Sequence, residues 1–207
     1  MTKLLSPLLF FAISACTQTP QNHSPDPRAV ALNYEIVPLF EHYENADSCK
    51  KALSILNKAT EIDNDYFLGY NNKLTFLYSL KQFDKAILTL NNMIRLKPKA
   101  HDLYVMQGVL FEKVRDSISA RPYFEKSLEL ANPVLDTIQE TNLDYPMYMG
   151  NKLTSLIMLG DTAKAKEVLM TLQKSLADST SKQMLLNFAL KNKEELLEYL
   201  TVDPNSR

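Results

Sequence analysis

Residues 67–98 read FLGYNNKLTFLYSLKQFDKAILTLNNMIRLKP, and residues 101–133 read HDLYVMQGVLFEKVRDSISARPYFEKSLELANP. With a step of 34, Tyr70 falls on Tyr104, Leu77 on Phe111, Ala86 on Ala120 and Leu90 on Phe124. The same step taken backward adds Ile36, Phe40 and Tyr43, then Ala52 and Leu56. In each copy the first three positions run at i, i+4 and i+7, the stripe of one amphipathic helix. The alanine and the apolar residue four places later mark a second helix. A pair of helices with one apolar face each cannot bury those faces alone, so copies must stack on one another.

The two quoted segments resemble tetratricopeptide repeats, whose period is 34 residues. Tyr70, Leu77, Phe83, Ala86, Leu90 and Pro98 carry the resemblance in one, and Tyr104, Gly108, Phe111, Ala120, Phe124 and Pro133 in the next. The resemblance implies an all-α fold, a right-handed α-solenoid of about four helix pairs plus C-terminal capping helices. In the family, small residues sit where paired helices cross closely. By that rule Ala52, Ala86, Gly108, Ala120 and Ala165 are the packing positions, and Leu74 in place of glycine implies a wider crossing.

The repeats are read as about 33–64, 67–98, 101–133 and 146–173, with the last displaced by 11 residues so that Gly160-Asp161-Thr162-Ala163-Lys164-Ala165 restates the turn and its small alanine. The extra segment, about Leu135 to Tyr145, is read as an extended helix end and a loop closing at Tyr145-Pro146. Pro38 requires the first helix of the first repeat to start near Val37 or to kink, and Pro122 belongs in a first turn. Ser48, Asp84, Ser117 or Ser119, and Asp161 or Thr162 are candidate caps for the second helices. Helices at about 181–190 and 193–200 are expected to cover the open end of the solenoid, which spans 28–200 in all, and 201–207 is read as a disordered tail.

Lys3 precedes an apolar run, Leu4 to Ala15, too short to span a bilayer and suited to the core of an export signal. Its end, Ile13-Ser14-Ala15-Cys16, resembles the bacterial lipoprotein cleavage motif, which implies removal of residues 1–15 and acylation of Cys16. Such a protein is anchored to the membrane without spanning it, since each buried methylene contributes about 0.8 kcal/mol and two or more chains hold it stably. Thr17 instead of Asp after the cysteine implies, by the enteric rule, an outer-membrane location facing the periplasm. Residues 16–27, with Pro20, Pro25 and Pro27 among small polar residues, are read as the lipidated cysteine and a flexible tether, and Asp26-Pro27 as the start of the first helix near Arg28.

Near-balanced charge, 23 basic against 24 acidic residues, argues against a nucleic-acid partner. His23, His42 and His101 do not make a zinc spacing, so no metal and no cofactor is expected. No GxSxG elbow, phosphate-cradling glycine loop or Cys-His pairing occurs, and the chain is not read as an enzyme. With Cys16 lipidated, Cys49 lacks a disulfide partner and is read as a small partly buried filler, the alternative being a reactive or cross-linking thiol beside Lys50 and Lys51.

In this family the first helices line a concave face. The resemblance therefore places the partner groove at Leu68, Asn71, Asn72, Thr75 and Tyr78, then Asp102, Val105, Val109 and Glu112, then Met147, Thr154 and Ile157. The family's basic clamp for a terminal carboxylate is matched by Asn72 alone, with Val37, Glu41, Asp102 and Met106 at its other positions. A neutral or basic peptide or protein segment is the expected guest. Function is read as a membrane-anchored protein–protein interaction scaffold of the bacterial envelope. The alternative is an inhibitor or immunity lipoprotein against one toxin or hydrolase. A glycan-binding role is weaker, for want of any Trp.

Overall fold

The computed structural model describes residues 23–175 and 193–201; the signal reading of 1–15, Cys16 and the candidate helix at 181–190 lie outside the described residues. Among the described residues the secondary structure is helical, with no strand. They form two compact units, residues 23–98 and residues 99–175 with 193–201. Within each unit helices pack on their sequence neighbours, the serial hairpin arrangement of the all-α solenoid class.

The first unit contains α1 (Pro27–Glu35), a 3-10 helix (Val37–His42), α2 (Ala46–Ile62), α3 (Phe67–Ser79) and α4 (Phe83–Leu96). Asp26 caps α1 by accepting a 2.8 Å hydrogen bond from the Arg28 amide, and Pro27 occupies the first turn, where its missing N–H costs nothing. As Pro38 requires, a new helix starts at Val37. α1 stops at Glu35, and Pro38 sits in the first turn of a separate 3-10 helix, a position that spares it the clash it would make inside one long α-helix. Ile36, at the break, is buried with Cys49, Ala52, Leu56 and Phe76.

Residues 23–26, read as the end of a tether, are tied down. The Asp63 carboxylate, just past α2, lies 3.0 Å from His23 Nε2 and accepts the amides of Asp26 at 2.9 Å and Asp65 at 3.0 Å. Burial alone would push this carboxyl up, but the hydrogen bonds from Asp26, His23 and Asp65 outweigh it and hold the pKa below the ordinary value.

The second unit contains α5 (His101–Lys113), α6 (Ser117–Leu135), α7 (Tyr145–Leu159), α8 (Thr162–Ser175) and α9 (Lys193–Thr201). Pro122 and Pro133 both lie inside α6, not in a first turn and not at a repeat's close. Each removes one backbone bond, and α6 persists through them because it packs on both α5 and α7.

Three of the turns between helices among the described residues share one construction. Lys81, Arg115 and Gly160 are left-handed, with φ of 54°, 64° and 80°. The next amide reaches back five residues each time: Gln82 to Leu77 O at 2.9 Å, Asp116 to Phe111 O at 2.8 Å, and Asp161 to Leu156 O at 2.9 Å. This is the Schellman closure of a helix C-terminus. Lys81 and Arg115 are 34 apart and Arg115 and Gly160 are 45 apart, the repeat step and the step plus its 11-residue displacement.

The following caps differ in part from the sequence reading. Asn45 caps α2 through the amides of Asp47 and Ser48, replacing Ser48 in that role. No side chain caps α4, and Asp84 lies within its first turn. Asp116 caps α6 through the Ser119 amide at 3.0 Å, and Asp161 accepts from the Lys164 amide at 3.2 Å.

Candidate functional site

Small residues determine how closely the paired helices approach. Ala52, Ala86 and Ala120 are fully buried and Ala165 nearly so. At Gly108 an added Cβ would stand 2.7 Å from the Phe124 ring, so α5 lies on α6 with no room for a methyl group. In the preceding pair Leu74 is buried and the close approach moves to Gly69, where a Cβ would meet Tyr66 at 2.8 Å and Thr60 at 3.1 Å. Gly69 is thus the tight position of α3 over α2. The 34-residue alignment could not mark it, because its equivalent, Leu103, is large.

In the first unit the predicted groove residues lie on α3. Leu68, at 47% exposure, and Thr75 are open to solvent, while Asn71, Asn72 and Tyr78 are half-buried. Asn72 donates to the buried Asn33 Oδ1 at 2.8 Å, joining α3 to α1. Tyr34, next to Asn33 in α1, and Val37, at the start of the 3-10 helix, are also exposed. Leu68, Asn72 and Thr75 stand at i, i+4 and i+7 of α3, so aliphatic and amide groups share this α1/α3 surface. Tyr34 was missed by sequence reasoning because the periodic template places it outside both helical stripes. Tyr78 meets Phe83 edge to face at 6.5 Å, and burial raises its hydroxyl pKa, so the ring also braces the α3–α4 hairpin.

The second unit differs from the open groove expected of it. Asp102, Val105, Val109, Glu112 and Thr154 are all buried, and Met147 and Ile157 are half-buried. Thr154 spends its hydroxyl on the Gly150 carbonyl at 2.9 Å, within α7. Val105 and Val109 form one cluster with Ala120, Phe124, Met158 and Leu196, and Ile157 packs against it. Leu196 belongs to α9, so this C-terminal helix lies along α5. Lys193 Nζ of α9 sits 2.7 Å from Glu112 Oε1, and the Ser117 hydroxyl donates to Glu112 Oε2 at 2.7 Å. Sequence spacing gave no sign of this, since Glu112 and Lys193 are 81 residues apart.

At the start of α5, His101 is buried against Tyr148 with ring centroids 4.0 Å apart, and Asn151 Nδ2 lies 3.4 Å from its Nδ1. Burial pushes the imidazole pKa down to about 4, so the ring is neutral. Among the described residues no group of three His, Cys, Asp or Glu side chains could hold a metal ion. Cys49 is buried, its Sγ 2.8 Å from the Tyr43 carbonyl oxygen, as a thiol packed into a hairpin.

No known family profile matches the chain. Over 106 residues it is 27% identical to anaphase-promoting complex subunit 3 of Schizosaccharomyces pombe, a stretch that is 50% of this chain and 16% of that protein. The chain is an all-helical protein of serially packed helix pairs, similar over that stretch to this subunit. No helix among the described residues is long and apolar enough to cross a membrane.

Proposed function

We propose that this chain is a protein–protein interaction scaffold, tethered by lipid on Cys16 to a bacterial envelope membrane and using its helical repeats to hold a protein or peptide partner. The observation that carries the binding role is the α1/α3 surface, where exposed Leu68 stands one turn before Asn72 on α3 and the Asn72 amide bonds Asn33 of α1. Aromatic, aliphatic and amide groups held on rigid helices suit a partner segment that offers both apolar side chains and backbone polar groups. Similarity to a protein named as the subunit of a complex supports the scaffold reading. The anchor rests on the basic start, short apolar run and Ala15-Cys16 ending of residues 1–16.

Two measurements test the two halves separately. Cys16→Ala is expected to abolish fatty-acid labelling and release the chain from the membrane fraction; undiminished labelling overturns the anchor. Leu68→Asp combined with Thr75→Arg is expected to remove the partners that cross-link to the wild-type chain in membranes while leaving helicity unchanged. An unaltered cross-linking pattern overturns the α1/α3 surface as the docking face.

A further inference from the structure

The α5/α7 face of the second unit has the parts of a helix-binding groove, and α9 fills it. Its floor is Val105, Val109 and Met158, flanked by Ile157. At one rim stands the Glu112 carboxylate, oriented by the Ser117 hydroxyl of α6 at 2.7 Å. The side chain of Glu112 is only 6% exposed, whereas its partner Lys193 is 41% exposed, so the carboxylate belongs to the groove and the ammonium reaches in from the edge. A helix that covers this carboxylate must bring a counter-charge, because burying it with only a hydroxyl donor is costly, and this selects for a basic guest.

The present occupant, α9, is a nine-residue helix. It engages the groove through a compact pattern: Lys193 on Glu112, then Leu196 fully buried in the floor and Leu197 packed beside it. Basic residue, two spacers and a leucine pair is the i, i+3, i+4 signature of an amphipathic helix laid in a groove. A helix this short is marginal alone and is held by what it packs on, so a longer helix bearing the same pattern can compete for its seat.

From this juxtaposition we infer that the α5/α7 face is a second binding site, that α9 occupies it in cis as an intramolecular ligand, and that its external partner is an amphipathic helix with a basic residue three places before a leucine pair. The inference deepens the scaffold reading and rests on it. Engagement of the partner requires α9 to leave, so the site is self-masked until a stronger helix arrives.

The test uses the full chain and a fluorescent synthetic peptide copying residues 191–201, KNKEELLEYLT. Leu196→Asp is expected to free the groove and bind the peptide at least tenfold more tightly than wild type, whose own α9 competes. Adding Glu112→Lys to that variant is expected to abolish binding, and a peptide carrying Lys193→Glu is expected to restore it. Equal affinity for wild type and Leu196→Asp, or no rescue by the reversed charge pair, overturns the inference. Should Leu196→Asp lose its helicity, α9 is integral core and the inference likewise fails; the exposed-edge variant Lys193→Glu, which loosens α9 without burying a charge, gives a second reading of the same competition. A wild-type dimer that becomes monomeric on Leu196→Asp would assign α9 to a neighbouring copy and overturn the cis arrangement. None of these outcomes bears on cross-linking through the α1/α3 surface of the first unit, so failure here and failure of the scaffold reading remain distinct.

Discussion

Gly108 and Gly150 both lie inside helices, yet their surroundings set opposite expectations. Alanine at either position gains about 1 kcal/mol of helix propensity over glycine. At Gly150 nothing lies within 4 Å of the new Cβ, so Gly150→Ala should stabilise the protein by close to that amount. At Gly108 the methyl group would collide with a buried, rigid Phe124 ring at 2.7 Å. Overpacking of a tight core costs about 1–3 kcal/mol, so Gly108→Ala should destabilise on balance by about 1 kcal/mol. Urea unfolding of the two variants beside wild type checks both signs at once. Ala86→Leu, at a fully buried crossing with no compensating gain, should cost about 1–3 kcal/mol in the same assay.

At the level of elements, the hairpin turns show what the repeat conserves in geometry while varying its residues. Lys81 and Arg115 adopt the left-handed conformation that Gly160 adopts without penalty. A side chain there costs roughly 1–2 kcal/mol, partly offset by the extra freedom glycine has when unfolded. Lys81→Gly and Arg115→Gly should therefore each raise stability by about 0.5–1 kcal/mol, and Gly160→Ala should lower it by about 1 kcal/mol. Thermal denaturation gives the comparison; a loss on Lys81→Gly would mean that its side chain holds the turn. Helix starts were legible only in part. Asn45 and Asp116 cap their helices as Asx side chains do, but so could the neighbouring serines, and choosing among adjacent candidates depends on the backbone angle at which each chain enters the helix.

Across the whole molecule, the two units should respond to acid in different windows. His101, in the second unit, has its pKa lowered to about 4 by burial, so below an unfolded value near 6.5 the unfolded chain binds the proton more readily. Stability is full above about pH 6.5 and falls through the interval down to about 4, by an amount on the order of 2–3 kcal/mol. Asp63, in the first unit, also has a lowered pKa, so its contribution is present above the unfolded carboxyl value of about 3.9 and is lost only as pH falls below it. Hydrogen exchange at stepped pH should show protection declining first in α5 and α7, with α2 holding until stronger acid, and His101→Phe should remove the earlier decline.

Much of this architecture was legible in the linear pattern, because helical amphipathicity and the need for small residues at a close crossing are short-range demands that recur every 34 residues, as Ala52, Ala86 and Ala120 do. That pattern marks which side of a helix must be covered. It does not say by what. Val105, Val109 and Glu112 share one face of α5, but what covers that face is α9, arriving from some 80 residues away, and Asp63 fastens residues 23–26 across a gap of about 40. Pairings at that range carry no sequence period, since they follow from the docking of separate segments into complementary shape and charge. Only the folded arrangement decides between an open groove and one already filled.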